Sequence, residues 1–300
     1  MSRVGPTLTA LATGLILAML ALILGHVTVH GWSVVTWGFL SGGAEEGLFT
    51  VGRSGIFPML FGTAARVILM TLLVIPAGVI TAVYLNEYAP ASGRLTRWVR
   101  GAVNHLAGVP SIVFGLFGLG FFIGFVGAGL DDWLRPGAVQ PYWAGEGLLW
   151  ASATLAVMTL PVVVVATEEA LRAVPAGLRE ASLALGATRL QTIIRIVLPH
   201  SLSGILTGSI LAIGRAAGEV VPLLFTGAAL YVSRLPGSLN DKFMDLAYHV
   251  WVLCTQSPDI DQTKPLLYGT VLVLLGLTLS LNLVAVVIRA RISRNPQATP

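Results

Sequence analysis

Charge is what this sequence has least of. Asp, Glu, Lys and Arg make up 11% of its 300 residues, where a water-soluble domain carries about 25%. A chain so poor in charge cannot cover its surface with groups that water solvates well, which excludes an ordinary soluble domain. Lysine occurs only at Lys242 and Lys264, and neither follows a glycine. The G-x-x-x-x-G-K-[ST] phosphate loop is therefore absent, and the chain does not bind ATP by that route. The single cysteine, Cys254, excludes an internal disulfide and a thiolate zinc cluster, and reads as a passive small residue. His26, His30, His105, His200 and His249 show no metal-ligand spacing, and neither G-x-S-x-G nor H-E-x-x-H occurs. No cofactor or metal is expected in this chain, and no enzymatic constellation is found. What remains is apolar: 55% of the residues are hydrophobic and the mean hydropathy is +0.83. The bilayer is the solvent that accommodates this. A net charge of +4 would suggest nucleic acid in a soluble protein, but here the placement of the charges carries the information, and no nucleic-acid partner is expected.

A spanning helix needs about 20 predominantly apolar residues. Six segments qualify, at about Leu8–Val29, Thr63–Leu85, Val103–Leu130, Gly147–Thr167, Leu202–Ala229 and Leu266–Ile288. The expectation is an all-α polytopic membrane protein of six transmembrane helices. The first segment reads as a retained anchor, because its apolar run is longer than that of a signal peptide and no small-x-small site follows it. With the N-terminus inside, the inner connections hold eleven arginines: Arg3, Arg94, Arg97, Arg100, Arg172, Arg179, Arg189, Arg195, Arg289, Arg291 and Arg294. The outer ones hold five basic residues, Arg53, Arg135, Arg234, Lys242 and Lys264, together with Glu45, Glu46, Asp131, Asp132, Glu146, Asp241, Asp245, Asp259 and Asp261. The positive-inside bias places both termini in the cytoplasm. Trp32, Trp37, Trp133 and Trp143 fall just beyond the outer span ends, where amphipathic rings favour the headgroup layer. In the long outer segment Arg234–Lys264, the pairs Phe243-Met244, Leu246-Ala247 and Val250-Trp251 recur at helical spacing and predict a short helix along the membrane surface. The division expected is an anchor helix and outer loop over 1–62, a five-helix core over 63–290 and a frayed tail over 291–300.

Between the fourth and fifth spans lie 33 residues, Glu168–His200, where most bundle connections take 2–8. Glu168–Arg172 continues span four beyond the membrane, and Pro175 ends that helix. Leu178–Leu185 reads as a short helix with Leu178, Ala181 and Leu185 on one face, closed by Gly186 in a C-cap position. Leu190–Val197 is helical again, and Leu198-Pro199 leads into span five. Such a loop is either a solvated amphipathic hairpin or a short helix, with Ala181, Ser182 and Ala184, offered to a groove in another protein.

Span five holds Arg215-Ala216-Ala217-Gly218-Glu219. Arg215 lies about 20 Å along the span, near or just past the midplane. Each such charge costs about 2.5–3.5 kcal/mol at the centre of a lipid-facing helix, so the two cannot both face lipid. Four residues apart, the two share a helical face. They either fix helix packing or line an anion pathway, in which the Arg fork suits an oxyanion. Glu219 can accept a hydrogen bond from an oxyanion that still carries a proton, as phosphate does and sulfate does not. Pro222 leaves the Gly218 carbonyl without its helical donor, which predicts a hinge. Gly204, Gly208, Gly214 and Gly218 form small-x-x-x-small patterns for close helix approach. The glycines of span three, Gly115, Gly118, Gly120, Gly124, Gly127 and Gly129, read as packing positions. Arg66, early in span two, either snorkels to the headgroups or serves the outer mouth.

Glu180-Ala181-Ser182, three residues, Gly186, nine residues, and Ile196-Val197-Leu198-Pro199 resembles the EAA signature of bacterial ABC importer permeases, with Ser182 the one departure. The resemblance extends to Gly214–Thr226, Val109–Leu116, Tyr84–Ala89 and Tyr268–Leu283, which look like the PstA-type permease of the bacterial phosphate importer. The PstC-type partner shares the R-A-x-G-E core but usually lacks a continuation like Pro222–Phe225. The chain departs from the family at Val220-Val221, where Thr-Ala is common, so a hydroxyl beside Glu219 is missing.

The resemblance implies a type I ABC importer permease fold and an inner-membrane subunit of an ATP-driven phosphate importer. Its implied partners are a second, PstC-like permease, two PstB-like ATP-binding subunits and a PstS-like phosphate-binding protein outside. It implies that Glu180, Ala181, Ser182, Gly186, Ala187, Ile196, Leu198 and Pro199 belong to the ATPase-coupling loop. Arg215, Glu219 and Arg66 would line the pathway, with Gly218 and Pro222 at the hinge. The nearest rivals are the PstC-type partner and a permease for sulfate or molybdate. A channel or secondary transporter would need no docking loop, and a scaffold subunit would leave conduction to its partner.

Overall fold

The computed structural model describes residues 4–44, 47–50, 54–90 and 92–294. Arg3, Glu45, Glu46, Arg53 and the tail from Asn295 lie outside them. Among the described residues there is no strand beyond a single bridge, Ala228 to Phe243, and six helical stretches are long and apolar enough to cross a membrane. They are α1 (Val4–Gly31); α3 (Phe57–Val83), which follows the short α2 (Trp37–Ser41) and ends in a π-turn, Tyr84–Tyr88; α5 (Ser111–Phe117), carried by a π-helical stretch, Gly118–Gly127, into α6 (Ala128–Leu134); α7 (Leu148–Arg172); α10 (Leu198–Ala217); and α13 (Ile260–Arg294). Between the second and third spans lies α4 (Arg94–Leu106), which separates what the sequence reads as one run from Val103. The long loop holds α8 (Ala176–Ala184) and α9 (Arg189–Thr192), and the outer segments hold α11 (Leu223–Thr226) and α12 (Leu246–Thr255).

The bundle is organised around α7, which packs most extensively on α3 and then on α10. Two-thirds of its apolar window is buried, whereas none of α1's is. α1 lies at the edge, against α13. Close approach of α7 and α10 is made by two small-residue pairs. A Cβ on Gly208 would stand 2.3 Å from the Ala166 Cβ, and one on Gly204 2.5 Å from that of Ala170. These are two of the four close approaches expected, since lipid offers no hydrophobic drive for helices to pair and packing must supply it; Gly214 faces the Asn282 side chain instead, and Gly218 lies in the break with nothing within 4 Å. Of the span-three glycines, Gly115, Gly118 and Gly127 meet neighbouring elements closely, while Gly120 and Gly129 face open space.

Two expectations are corrected. α12 does not lie along the membrane surface: Leu246, Ala247, Val252 and Leu253 are buried, and it packs on α13 and α3. Phe243 and Met244, fully buried, precede the helix, and Asp245 caps it by accepting from the amides of Ala247 and Tyr248 at 3.0 and 3.1 Å. At ten residues, roughly 15 Å, it is half the length a span needs. Burial holds His249 on its inner face neutral, with its pKa lowered to about 4. The second correction concerns span five, which stops at Ala217 instead of continuing to Ala229.

Candidate functional site

The fifth span is one rod from Arg189 to Ala217, 29 residues or roughly 43 Å. Pro199 does not interrupt it. A proline ring clashes with the carbonyl four residues earlier, and here the π-turn Ile193–Val197 shifts the ladder, so that the Leu198 amide bonds back to the Ile193 carbonyl. Arg215 stands in the last turn of this rod. The chain then leaves the helix at Gly218, and Glu219 sits in the break before Pro222 and α11. The expected kink at Pro222 is thus a full break. Arg215 Nε and Glu219 Oε1 are 3.8 Å apart, with 54% of the Arg215 side chain and 22% of the Glu219 side chain exposed.

Arg66 explains why the break is tolerated. It neither snorkels nor lines a mouth, because it is completely buried. α3 begins at Phe57, with Pro58 in its first turn, so Arg66 lies roughly 14 Å along the helix and cannot reach headgroups. Its Nη1 and Nη2 donate to the carbonyls of Ala216 and Ala217 at 2.9 and 3.2 Å, and Nε donates to Asp245 Oδ2 at 2.9 Å. Asp245 also accepts from Thr63 Oγ1 at 3.0 Å. The end of α10 leaves carbonyls without donors, and the guanidinium satisfies two of them while its charge is matched by a carboxylate. Arg66 is a clamp that positions the Arg215–Glu219 segment. In the sequence Asp245 falls among the acids of the outer connections. The signal available was a single acid in the apolar stretch Phe243–Val250.

At the arginine-rich end, the loop has the predicted parts. α7 runs to Arg172, Pro175 precedes α8, and Gly186 closes the turn with φ +84°, a conformation that favours glycine. No residue of α8 is buried. Glu180 and Ala181 are exposed, Ser182 Oγ is 2.9 Å from Thr192 Oγ1, and Leu178, Leu183 and Leu185 present apolar surface to solvent. Glu180–Ala187 therefore forms a projecting helix and turn. Ile196, Leu198 and Pro199 are half-buried at the root of α10 instead.

A seat beneath α8 was not foreseen. The π-turn ending α3 turns Glu87 inward, where only 8% of it is exposed. Arg179 of α8 donates to Glu87 Oε1 at 3.1 Å and to the carbonyls of Leu171 and Val174, both at 2.7 Å. Arg189 donates to the Glu87 carbonyl and lies over the Tyr88 ring. Arg100 joins Glu168 at 3.3 Å and the Leu85 carbonyl at 3.0 Å. The three arginines tie α8, α9 and α4 to the ends of α3 and α7. Glu87 is the only acid between Glu46 and Asp131, which was the clue to its pairing.

One rod, beginning just after the projecting loop helix, thus ends at the Arg215–Glu219 pair. Residues 74–295 match the family described as the binding-protein-dependent transport system inner membrane component. The chain belongs to that family. This permease is 33% identical over 265 residues to the probable ABC transporter permease protein YqgI of Bacillus subtilis, covering 84% of this chain and 83% of that one. It is 36% identical over 218 residues to the phosphate transport system permease protein PstA 1 of Mycobacterium tuberculosis, covering 71% and 65%, and so spans just under two-thirds of that relative. It is 30% identical over 229 residues to the phosphate transport system permease protein PstC of Mesorhizobium japonicum, covering 72% and 69%. Its fold is similar, with a TM-score of 0.61 at 17% identity over 99% of this chain and 97% of the other, to a chain in the crystal structure of a bacterial alginate ABC transporter in complex with an alginate pentasaccharide-bound periplasmic protein. The permease has the type I ABC importer fold, spans the membrane several times and is the permease subunit of an ABC importer.

Proposed function

We propose that this permease is the PstA-type half of the pathway of an ATP-driven importer of inorganic phosphate in a bacterial inner membrane, with both termini cytoplasmic. It pairs with a second, PstC-like permease, two PstB-like ATP-binding subunits that dock on α8, and a PstS-like phosphate-binding protein on the far side. ATP is held by the partners. The relatives PstA 1 and PstC support the substrate, and the Pro222–Phe225 continuation favours the PstA position over the PstC one.

The observation that carries this reading is Arg215, on a membrane-embedded helix with 54% of its side chain exposed in the isolated chain. A half-exposed guanidinium beside the break in the span suits an aqueous path, and this face is assigned to the boundary with the second permease. There the guanidinium neutralises an oxyanion and Glu219 accepts the proton that phosphate retains. Glu219→Gln is expected to erode discrimination between phosphate and sulfate in uptake competition, because an amide also donates to a fully ionised oxyanion. Unchanged discrimination refutes that role.

ATP binding draws α8 inward. The rod from Arg189 carries the motion to Arg215, and Arg179–Glu87 carries it to α3. Gly218 and Pro222 flank the hinge. Glu87→Gln leaves Arg179 short of its charged partner, loosening the seat by about 1.5–3 kcal/mol. The expected result is intact complex, retained ATPase activity and fewer phosphate ions moved per ATP, with faster hydrogen exchange in α8. Unchanged stoichiometry and exchange would show that the seat transmits nothing.

A further inference from the structure

We propose that α4 is a binding surface for anionic phospholipid headgroups in the leaflet at the arginine-rich end. The helix has two faces. Thr96 and Val103 are buried, with Val99 and Leu106 packed beside them. On the other side Arg94, Arg97, Trp98, Gly101, Ala102 and His105 line an open cleft of about 500 Å³. Positions 94, 97, 98, 101 and 105 follow one helical face. Trp98 is 78% exposed, and nothing lies within 4 Å of where a Gly101 Cβ would stand, so the cleft floor is open.

The charge on this face is of one sign. No acid occurs between Glu87 and Asp131, and Glu87 is turned away onto Arg179. Arg100 is committed to Glu168. Among the described residues no carboxylate forms an ion pair with Arg94 or Arg97, which leaves both cations for an external anion.

Connection lengths tether the helix to two span ends. α4 begins six residues after Tyr88 and ends five before Ser111, and each of those residues terminates a span. The helix is therefore kept beside the inner ends of both spans, and its composition assigns it to the layer where hydrocarbon meets water. Exposed Trp, Leu95 and unpaired arginines at that level are the composition of an interfacial helix, and a sheet of lipid phosphates supplies the anions.

The test reconstitutes the whole complex in phosphatidylcholine vesicles containing increasing phosphatidylglycerol, with a trace of either lipid carrying a photoreactive headgroup. Labelling of the Trp98 peptide is read by mass spectrometry. In the wild type the phosphatidylglycerol probe is expected to label this peptide in strong preference to the phosphatidylcholine probe. A charge beside an anionic surface contributes about fivefold in binding, so Arg94→Gln/Arg97→Gln lowers the preference for the phosphatidylglycerol probe by up to roughly 30-fold. Arg94→Lys/Arg97→Lys retains it. Equal labelling of the wild type by both probes, or crosslinking of α4 to the second permease in place of lipid, overturns the proposal even if a variant fails to assemble.

Discussion

Arg66→Met is expected to lower the stability of the permease by about 3–5 kcal/mol, the usual cost of removing one partner from a buried ion pair. Without the guanidinium, Asp245 keeps a buried charge matched only by Thr63 and the α12 amides, and the carbonyls of Ala216 and Ala217 lose two donors. The loss appears as a lower unfolding temperature of the purified protein and as faster hydrogen exchange around Ala216–Leu223. Arg66→Met/Asp245→Leu removes both charges and restores part of the stability, since the isolated carboxylate is the larger penalty. A stable Arg66→Met permease with uptake alone lost would instead place Arg66 in contact with the substrate.

Arg215→Gln has the second large effect, and it falls on transport. Arg215 makes a 3.8 Å contact with Glu219 and is more than half exposed within the chain, so stability should change by no more than about 1 kcal/mol. A hydrogen bond to a charged oxyanion is worth about 1.5–3 kcal/mol, which corresponds to uptake slowed about 10- to 150-fold. Arg215→Lys keeps the charge without the planar fork and should fall between. The two predictions thus separate the arginines: loss of stability for Arg66, and loss of uptake with the fold intact for Arg215.

How much of this was legible follows the range of the forces involved. Long apolar runs gave the six spans, because 20 residues of hydrocarbon-soluble chain need no distant partner to be recognised. The projecting loop helix was legible for a similar reason, since Pro175 and Gly186 punctuate it locally. The full break after Ala217 was not. Pro222 signals a weakened helix, but whether the helix bends or stops depends on Arg66, 150 residues away. Glu87 stood out as an isolated acid, but its partner was hidden, because Arg179 lies 92 residues on. α12 carries apolar residues on both sides, and periodicity alone does not tell a helix lying on a membrane from one inserted between its neighbours.

The most direct test is ATP-dependent uptake of labelled phosphate and sulfate into vesicles holding the complete complex, with the wild type beside Arg215→Gln. Phosphate-selective uptake that requires ATP and collapses in an assembled Arg215→Gln complex is the predicted result. Sulfate preference, uptake without ATP, or uptake indifferent to the substitution would contradict it.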